Sequence, residues 1–180
     1  MKSRLFGAIV ALFVLTGTPV SATTINYGVN NIAGNTWEYT YAVSNDTLSV
    51  AIEEFTIFFD VGLYENLVAP SAPVDWDPLV IQPDPGLPDN GFYDALELTA
   101  VGIAPGNSVA GFSVQFDFLG AGTPGDQSFD IVNPITFGVI DSGVTRVSAV
   151  PLPAALWLFG SGILSLLGVV RTNGPKAGRA

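Results

Sequence analysis

The sequence predicts an all-β fold, an antiparallel β-sandwich of the immunoglobulin-like or jelly-roll sort, framed by an N-terminal signal peptide and one C-terminal transmembrane helix. Three observations lead there. Apolar and polar residues alternate over several short runs, clusters of Gly, Pro, Asn and Asp separate those runs, and nothing before the terminal apolar stretch has a convincing helical period. A strand with one apolar face must bury it, and many short strands in one chain do so by stacking two sheets.

The first 22 residues read as the signal peptide. Lys2 and Arg4 precede the apolar stretch 5–15, Pro19 breaks any helix after it, and Val20-Ser21-Ala22 offers small residues where signal peptidase reads. Cleavage between Ala22 and Thr23 is expected, with export of the chain from Thr23 onward.

Residues 23–149 read as one exported β-sandwich domain. Residues 23–29 are the first strand candidate. Trp37, Tyr39, Tyr41 and Val43 then alternate with Glu38, Thr40, Ala42 and Ser44, and Asn45-Asp46 supplies a turn. The same period returns in Phe55, Ile57 and Phe59, and again in Phe112, Val114, Phe116 and Phe118. Further candidates are residues 79–82, 96–101, 129–132, 135–140 and 144–148. Inward aromatics are ordinary in sandwiches, so the Trp37/Tyr39/Tyr41 stripe reads as core before it reads as a sugar platform.

Residues 70–91 break the rhythm with six prolines and read as a long surface loop, with residues 79–82 as a short edge strand inside it. Trp76 stands there between Asp75 and Asp77. It either stacks on a sugar ring as a glycan contact or plugs the end of the sandwich. Asp75, Asp77, Asp84 and Asp89 share the same segment and are the candidate ligands of a calcium ion, although their spacing does not match an EF-hand loop. No other cofactor is expected.

Composition limits the chemistry. The chain has neither His nor Cys, which removes a Ser-His-Asp triad, a Cys nucleophile, ordinary zinc sites and disulfides. All sixteen Asp and Glu lie between Glu38 and Asp141, against Arg146 as the one base between Thr23 and Val150, a formal charge of −15. Such a surface repels phosphate backbones, so nucleic acid is excluded as a partner. About 128 residues without disulfides are enough for one domain with a sizeable core. Catalysis would have to use carboxylates such as Glu53, Glu54 or Glu97, and a glycoside hydrolase needs two of them across a cleft. Asp141-Ser142-Gly143 imitates an aspartic-protease motif but reads better as a hairpin turn before Val144.

The last segment, residues 150–180, has three parts. Val150, Pro151, Leu152 and Pro153 form a short motif, residues 154–170 are apolar and uncharged, and the tail 171–180 carries Arg171, Lys176 and Arg179. At ~1.5 Å per residue a helix over 154–170 approaches the thickness of a bilayer core, and Pro153 suits its first turn. The string VPLPAALWLFGSGILSLLGVVR closely resembles the C-terminal sorting signal of PEP-CTERM proteins, in the variant where Val-Pro-Leu-Pro-Ala replaces the Pro-Glu-Pro triplet.

That resemblance implies that Val150, Pro151, Leu152 and Pro153 are the sorting motif read by exosortase, a membrane-embedded cysteine protease. The helix would anchor the chain transiently in the inner membrane, and the processed protein would reach the cell surface or the extracellular matrix. Together these readings point to a non-enzymatic protein with a structural or adhesive role in exopolysaccharide or biofilm. The alternative is a carbohydrate-binding module, and a carboxylate-based glycoside hydrolase stands behind both.

Overall fold

A computed structural model describes residues 23–148. Among these residues the strands are β1 (Thr23–Ala33), β2 (Thr36–Asn45), β3 (Glu54–Phe59), β4 (Tyr64–Ser71), β5 (Trp76–Ile81), β6 (Gly91–Glu97), β7 (Ser108–Phe118), β8 (Ser128–Val132), β9 (Val139–Val144) and β10 (Arg146–Val147). They make two sheets, ordered β10-β1-β2-β7-β4 and β5-β6-β3-β8-β9. Every neighbouring pair is antiparallel except β1 with β10, where Asn26 pairs with Arg146 in parallel. The expected sandwich is therefore present as two packed sheets.

Period-two alternation decides what lies between them. The first sheet turns Ile25, Tyr27, Tyr39, Tyr41, Val43, Phe112, Val114 and Phe116 inward, and the second answers with Phe55, Ile57, Phe59, Tyr93, Ala95, Phe129 and Ile131, all buried. Rings interlock across the gap: Phe55 meets Phe112 edge-on with centroids 4.9 Å apart, and Phe59 meets Tyr64 at 5.2 Å. Full burial of a side chain of this size contributes about 2–3 kcal/mol, which is how a chain without disulfides holds together.

One buried polar hub sits inside this aromatic layer. Gln127 donates from Nε2 to the hydroxyls of Tyr39 (2.7 Å) and Tyr64 (3.2 Å), and its Oε1 accepts from the Tyr41 hydroxyl at 3.3 Å. Its backbone N–H donates to Thr145 Oγ1 at 2.8 Å, where the chain crosses from β9 to β10. Burial pushes the Tyr39 and Tyr41 hydroxyls up, so both stay protonated donors.

Several expectations need correction. Residues 64–71 form β4, which had not been expected to be a strand, because Asn66 at φ 56° and register shifts at Glu65, Val68 and Ser71 erase its alternation. The segment 70–91 is not one loop: the short edge strand expected at 79–82 is present as the longer β5, the end of β4 falls in the segment as well, and Pro78 stands on a sheet edge where a missing N–H is tolerated. The strand expected at 96–101 lies instead at Gly91–Glu97. Residues 135–138 form no strand, because Asn133 Oδ1 accepts from the N–H groups of Ile135 and Thr136 and bends the chain.

Asp141-Ser142-Gly143 is no hairpin turn but the middle of β9. Gly143 is needed there for close packing, since a Cβ would stand 2.8 Å from the ring of Phe129. The membrane expectation is corrected as well. No helix of any kind occurs among the described residues, and none is long and apolar enough to cross a membrane. Residues 1–22 and 150–180, with the sorting motif and the expected helix at 154–170, lie outside the described residues. What is established among the described residues is an all-β domain that contains no transmembrane helix.

Candidate functional site: the outer face of the second sheet

The outward residues of the two sheets differ in chemistry. On the first sheet they are mostly small or polar, including Thr24, Asn26 and Gly28 on β1, Glu38, Thr40, Ala42 and Ser44 on β2, and Ser113, Gln115 and Asp117 on β7, with Val68 of β4, 52% exposed beside Gln115, as an apolar exception. They satisfy one another: Thr36 Oγ1 donates to Asp117 Oδ1 at 2.7 Å, Asn66 Nδ2 donates to Asp117 Oδ2 at 3.0 Å, and Ser71 and Ser113 share a hydrogen bond of 2.8 Å. The Thr36 and Asn66 bonds hold the Asp117 carboxyl below its usual value. This is an ordinary solvated face.

The second sheet presents apolar residues and carboxylates together. Its strand register sets three outward rows: Asp77, Leu96, Glu54 and Val132; Leu79, Asp94, Thr56, Asp130 and Ser142; Ile81, Phe92 and Phe58. Phe58 and Phe92 are direct cross-strand partners and both are half-buried, while Leu79 and Ile81 beside them on the edge strand are 52% and 44% exposed. Directly opposed residues stand about 5 Å apart at the backbone, so the two side chains emerge as neighbours on the outer face.

Carboxylates border that surface. Thr56 Oγ1 donates to Asp94 Oδ1 at 2.6 Å. Glu54 lies diagonally from Asp94, and its Oε2 is shielded without a hydrogen-bond partner among the described residues. Burial raises the Glu54 carboxyl, with the negative charge of Asp94 adding to the effect. Burial also raises Asp94, partly offset by the Thr56 bond. Asp130 completes the row on the other side of Thr56, two strand spacings, or about 10 Å, from Asp94.

A cleft of about 200 Å³ adjoins the Glu54 end, lined among others by Glu53, Val132, Asn133, Ile135 and Ile140. Glu53 is the one carboxylate in its lining, so the cleft lacks the facing pair that glycoside hydrolysis requires. Glu97 is committed elsewhere: Thr99 Oγ1 donates to it, Val101 N–H donates to it at 3.0 Å, and these bonds hold its carboxyl below the ordinary value.

The residues singled out from the sequence fall elsewhere. Trp76 is 9% exposed and lies against Phe55 and Phe112, with centroids 5.8 and 5.1 Å away. It plugs the sandwich and offers no face to a sugar. Asp75 has φ 73° at the turn before β5, and Asp77 is exposed on β5. Asp84 and Asp89 close a separate turn through mutual backbone bonds of 3.0 and 3.1 Å, with Asp84 Oδ1 also accepting from Gly86 N–H. No group of three or more acidic residues among the described residues is placed to hold a metal ion. Ala22, the signal-peptidase site before Thr23, and the sorting motif Val150 to Pro153 are outside the described residues.

Sequence reading missed Phe58 and Phe92. The available signal was a failure of alternation: Glu54-Phe55-Thr56-Ile57-Phe58-Phe59 puts a large aromatic ring where a polar outward residue belongs, and Gly91-Phe92-Tyr93 does so again.

No family model matches the chain, and no curated protein matches it. The resemblance of its last residues to PEP-CTERM sorting signals thus stands without a matching family model. Among solved structures it is similar to the chitin-binding domain of Chi18aC from Streptomyces coelicolor (17% identity, 61% of this chain and 91% of that one, TM-score 0.40). It is also similar to a cohesin module of a family 33 glycoside hydrolase from Clostridium perfringens (7% identity, 72% and 98%, TM-score 0.40). A third likeness is to biomass-sensing modules from Rsgi-like proteins of Clostridium thermocellum (10% identity, 68% and 88%, TM-score 0.37). Scores this low assign no family and transfer no ligand.

Proposed function

We propose that this protein is an exported, non-catalytic β-sandwich that binds carbohydrate through the outer face of its second sheet. The observation that carries the reading is the outward pair Phe58 and Phe92, standing beside the Thr56–Asp94 hydrogen bond. Flat rings stack on the apolar faces of pyranose rings, and neighbouring carboxylates and hydroxyls accept or donate to sugar hydroxyls.

Export rests on the signal-like residues 1–22, and the absence of His and Cys supports a binding role over a catalytic one. A structural or adhesive role in a polysaccharide layer then takes the form of attachment through this face. Isothermal titration of the purified protein with a panel of neutral oligosaccharides tests the reading. Binding that disappears in the double variant Phe58→Ala/Phe92→Ala supports it, and undiminished binding in that variant, or none in the native protein, refutes it.

A further inference from the structure

We propose that this face selects glycans bearing free amino groups, polymers of protonated amino sugars, over neutral and acidic ones. The inference rests on the carbohydrate-binding reading and adds the charge of the ligand. Glu54, Asp94 and Asp130 stand among the outward residues of three adjacent strands, with Asp77 at the end of the Glu54 row. No base stands among these rows. Arg146, the only one in residues 23–148, belongs to β10 of the other sheet. The face is thus an unpaired line of negative charge on a domain that is itself strongly acidic.

An ammonium group gains twice on such a surface. It pairs with a carboxylate, and it is attracted to the face of an adjacent aromatic ring, here Phe58 or Phe92. Glu54 Oε2 has no hydrogen-bond partner among the described residues, so none of them compensates the charge of this carboxylate. A neutral sugar gains only stacking and uncharged hydrogen bonds, while a uronate meets repulsion from the two rows that carry carboxylates. The rings favour a glycan over a basic peptide, because successive pyranoses can lie flat along a sheet whose strands are about 4.8 Å apart.

The test is titration of the purified protein at about pH 6 and low salt, where the sugar amine is protonated and exposed carboxylates are ionised. The probes are glucosamine oligomers, fully N-acetylated oligomers of the same length, galacturonate oligomers and oligolysine. Glucosamine oligomers should bind about tenfold tighter than their N-acetylated counterparts, as expected for a few partly exposed charge pairs. That ratio should approach one in about 0.5 M sodium chloride. It should also fall toward one in Glu54→Gln/Asp94→Asn/Asp130→Asn, a variant whose circular dichroism shows it folded. Galacturonate should not bind.

Equal affinity for amino and N-acetylated oligomers would overturn the selectivity and leave the carbohydrate reading standing. Failure of every glycan to bind would overturn both. Oligolysine binding as tightly as glucosamine oligomers, and unaffected by Phe58→Ala/Phe92→Ala, would make the face a site for basic peptides and overturn the proposal.

Discussion

Phe58 of β3 and Phe92 of β6 are cross-strand partners on the outside of the sandwich, on the opposite side of the sheet from the core residues Phe55, Ile57 and Tyr93. Half-buried rings on a sheet face contribute less to stability than core rings, because folding removes less of their surface from water. Phe58→Ala with Phe92→Ala should therefore cost no more than about 2 kcal/mol in urea unfolding, whereas Trp76→Ala alone should cost about 3–5 kcal/mol. Only the first change should remove glycan binding from protein that remains folded.

The hub at Gln127 should be far more sensitive than its size suggests. Gln127→Ala would leave the buried Tyr41 hydroxyl without a partner, take one bond each from the hydroxyls of Tyr39 and Tyr64, and empty the space between them, with an expected loss of about 2–4 kcal/mol. Tyr93 offers the opposite case, for its buried hydroxyl has no partner among the described residues. Tyr93→Phe should leave stability unchanged or raise it by as much as ~1 kcal/mol in the same unfolding assay.

Acid and base should act on this domain in opposite senses through two pairs of carboxylates. Folding raises Glu54 and Asp94, so the native state holds protons more tightly than the unfolded chain. Their contribution is largest below the ordinary values of 4.5 and 3.8 and is lost as pH rises through the raised ones. Glu97 and Asp117 are lowered, so theirs is present above the ordinary values and lost as pH falls through the lowered ones. Thermal melts across pH should show a stability maximum in weak acid, and Glu54→Gln/Asp94→Asn should flatten the decline on its alkaline side.

Calcium should not stabilise this domain specifically. Asp75 and Asp77 lie at the start of β5, Asp84 and Asp89 close a different turn, and the four form no common acidic group. Melting temperatures in calcium chloride and in sodium chloride of matched ionic strength should agree, since both salts then only screen the acidic surface. A calcium-specific rise that Asp75→Asn with Asp77→Asn abolishes would show a site that these positions do not suggest.

How far the sequence alone could go is clear from individual strands. Alternation located β2, β3, β7 and β8 because each carries a regular inward apolar set, and it assigned Tyr39, Tyr41, Phe112 and Phe116 to the core. It failed at β4, where bulges break the period, and at β6, where Phe92 and Leu96 are apolar on the outward side as well. That second failure concealed the candidate site, since an outward apolar residue both blurs the strand pattern and marks the surface as unusual. Trp76 left two readings open, a glycan contact or a plug of the sandwich, and its burial against Phe55 and Phe112 decides for the plug.

The most direct test of the central claim is amide chemical-shift mapping of the labelled protein during titration with glucosamine oligomers and their N-acetylated counterparts. Binding through the second sheet predicts the largest shifts at Thr56, Phe58, Phe92 and Asp94, with Asp130 shifting further for the amino form. Shifts concentrated instead on the outward residues of the first sheet, such as Glu38, Thr40 and Gln115, or no shifts with any oligomer, would contradict it.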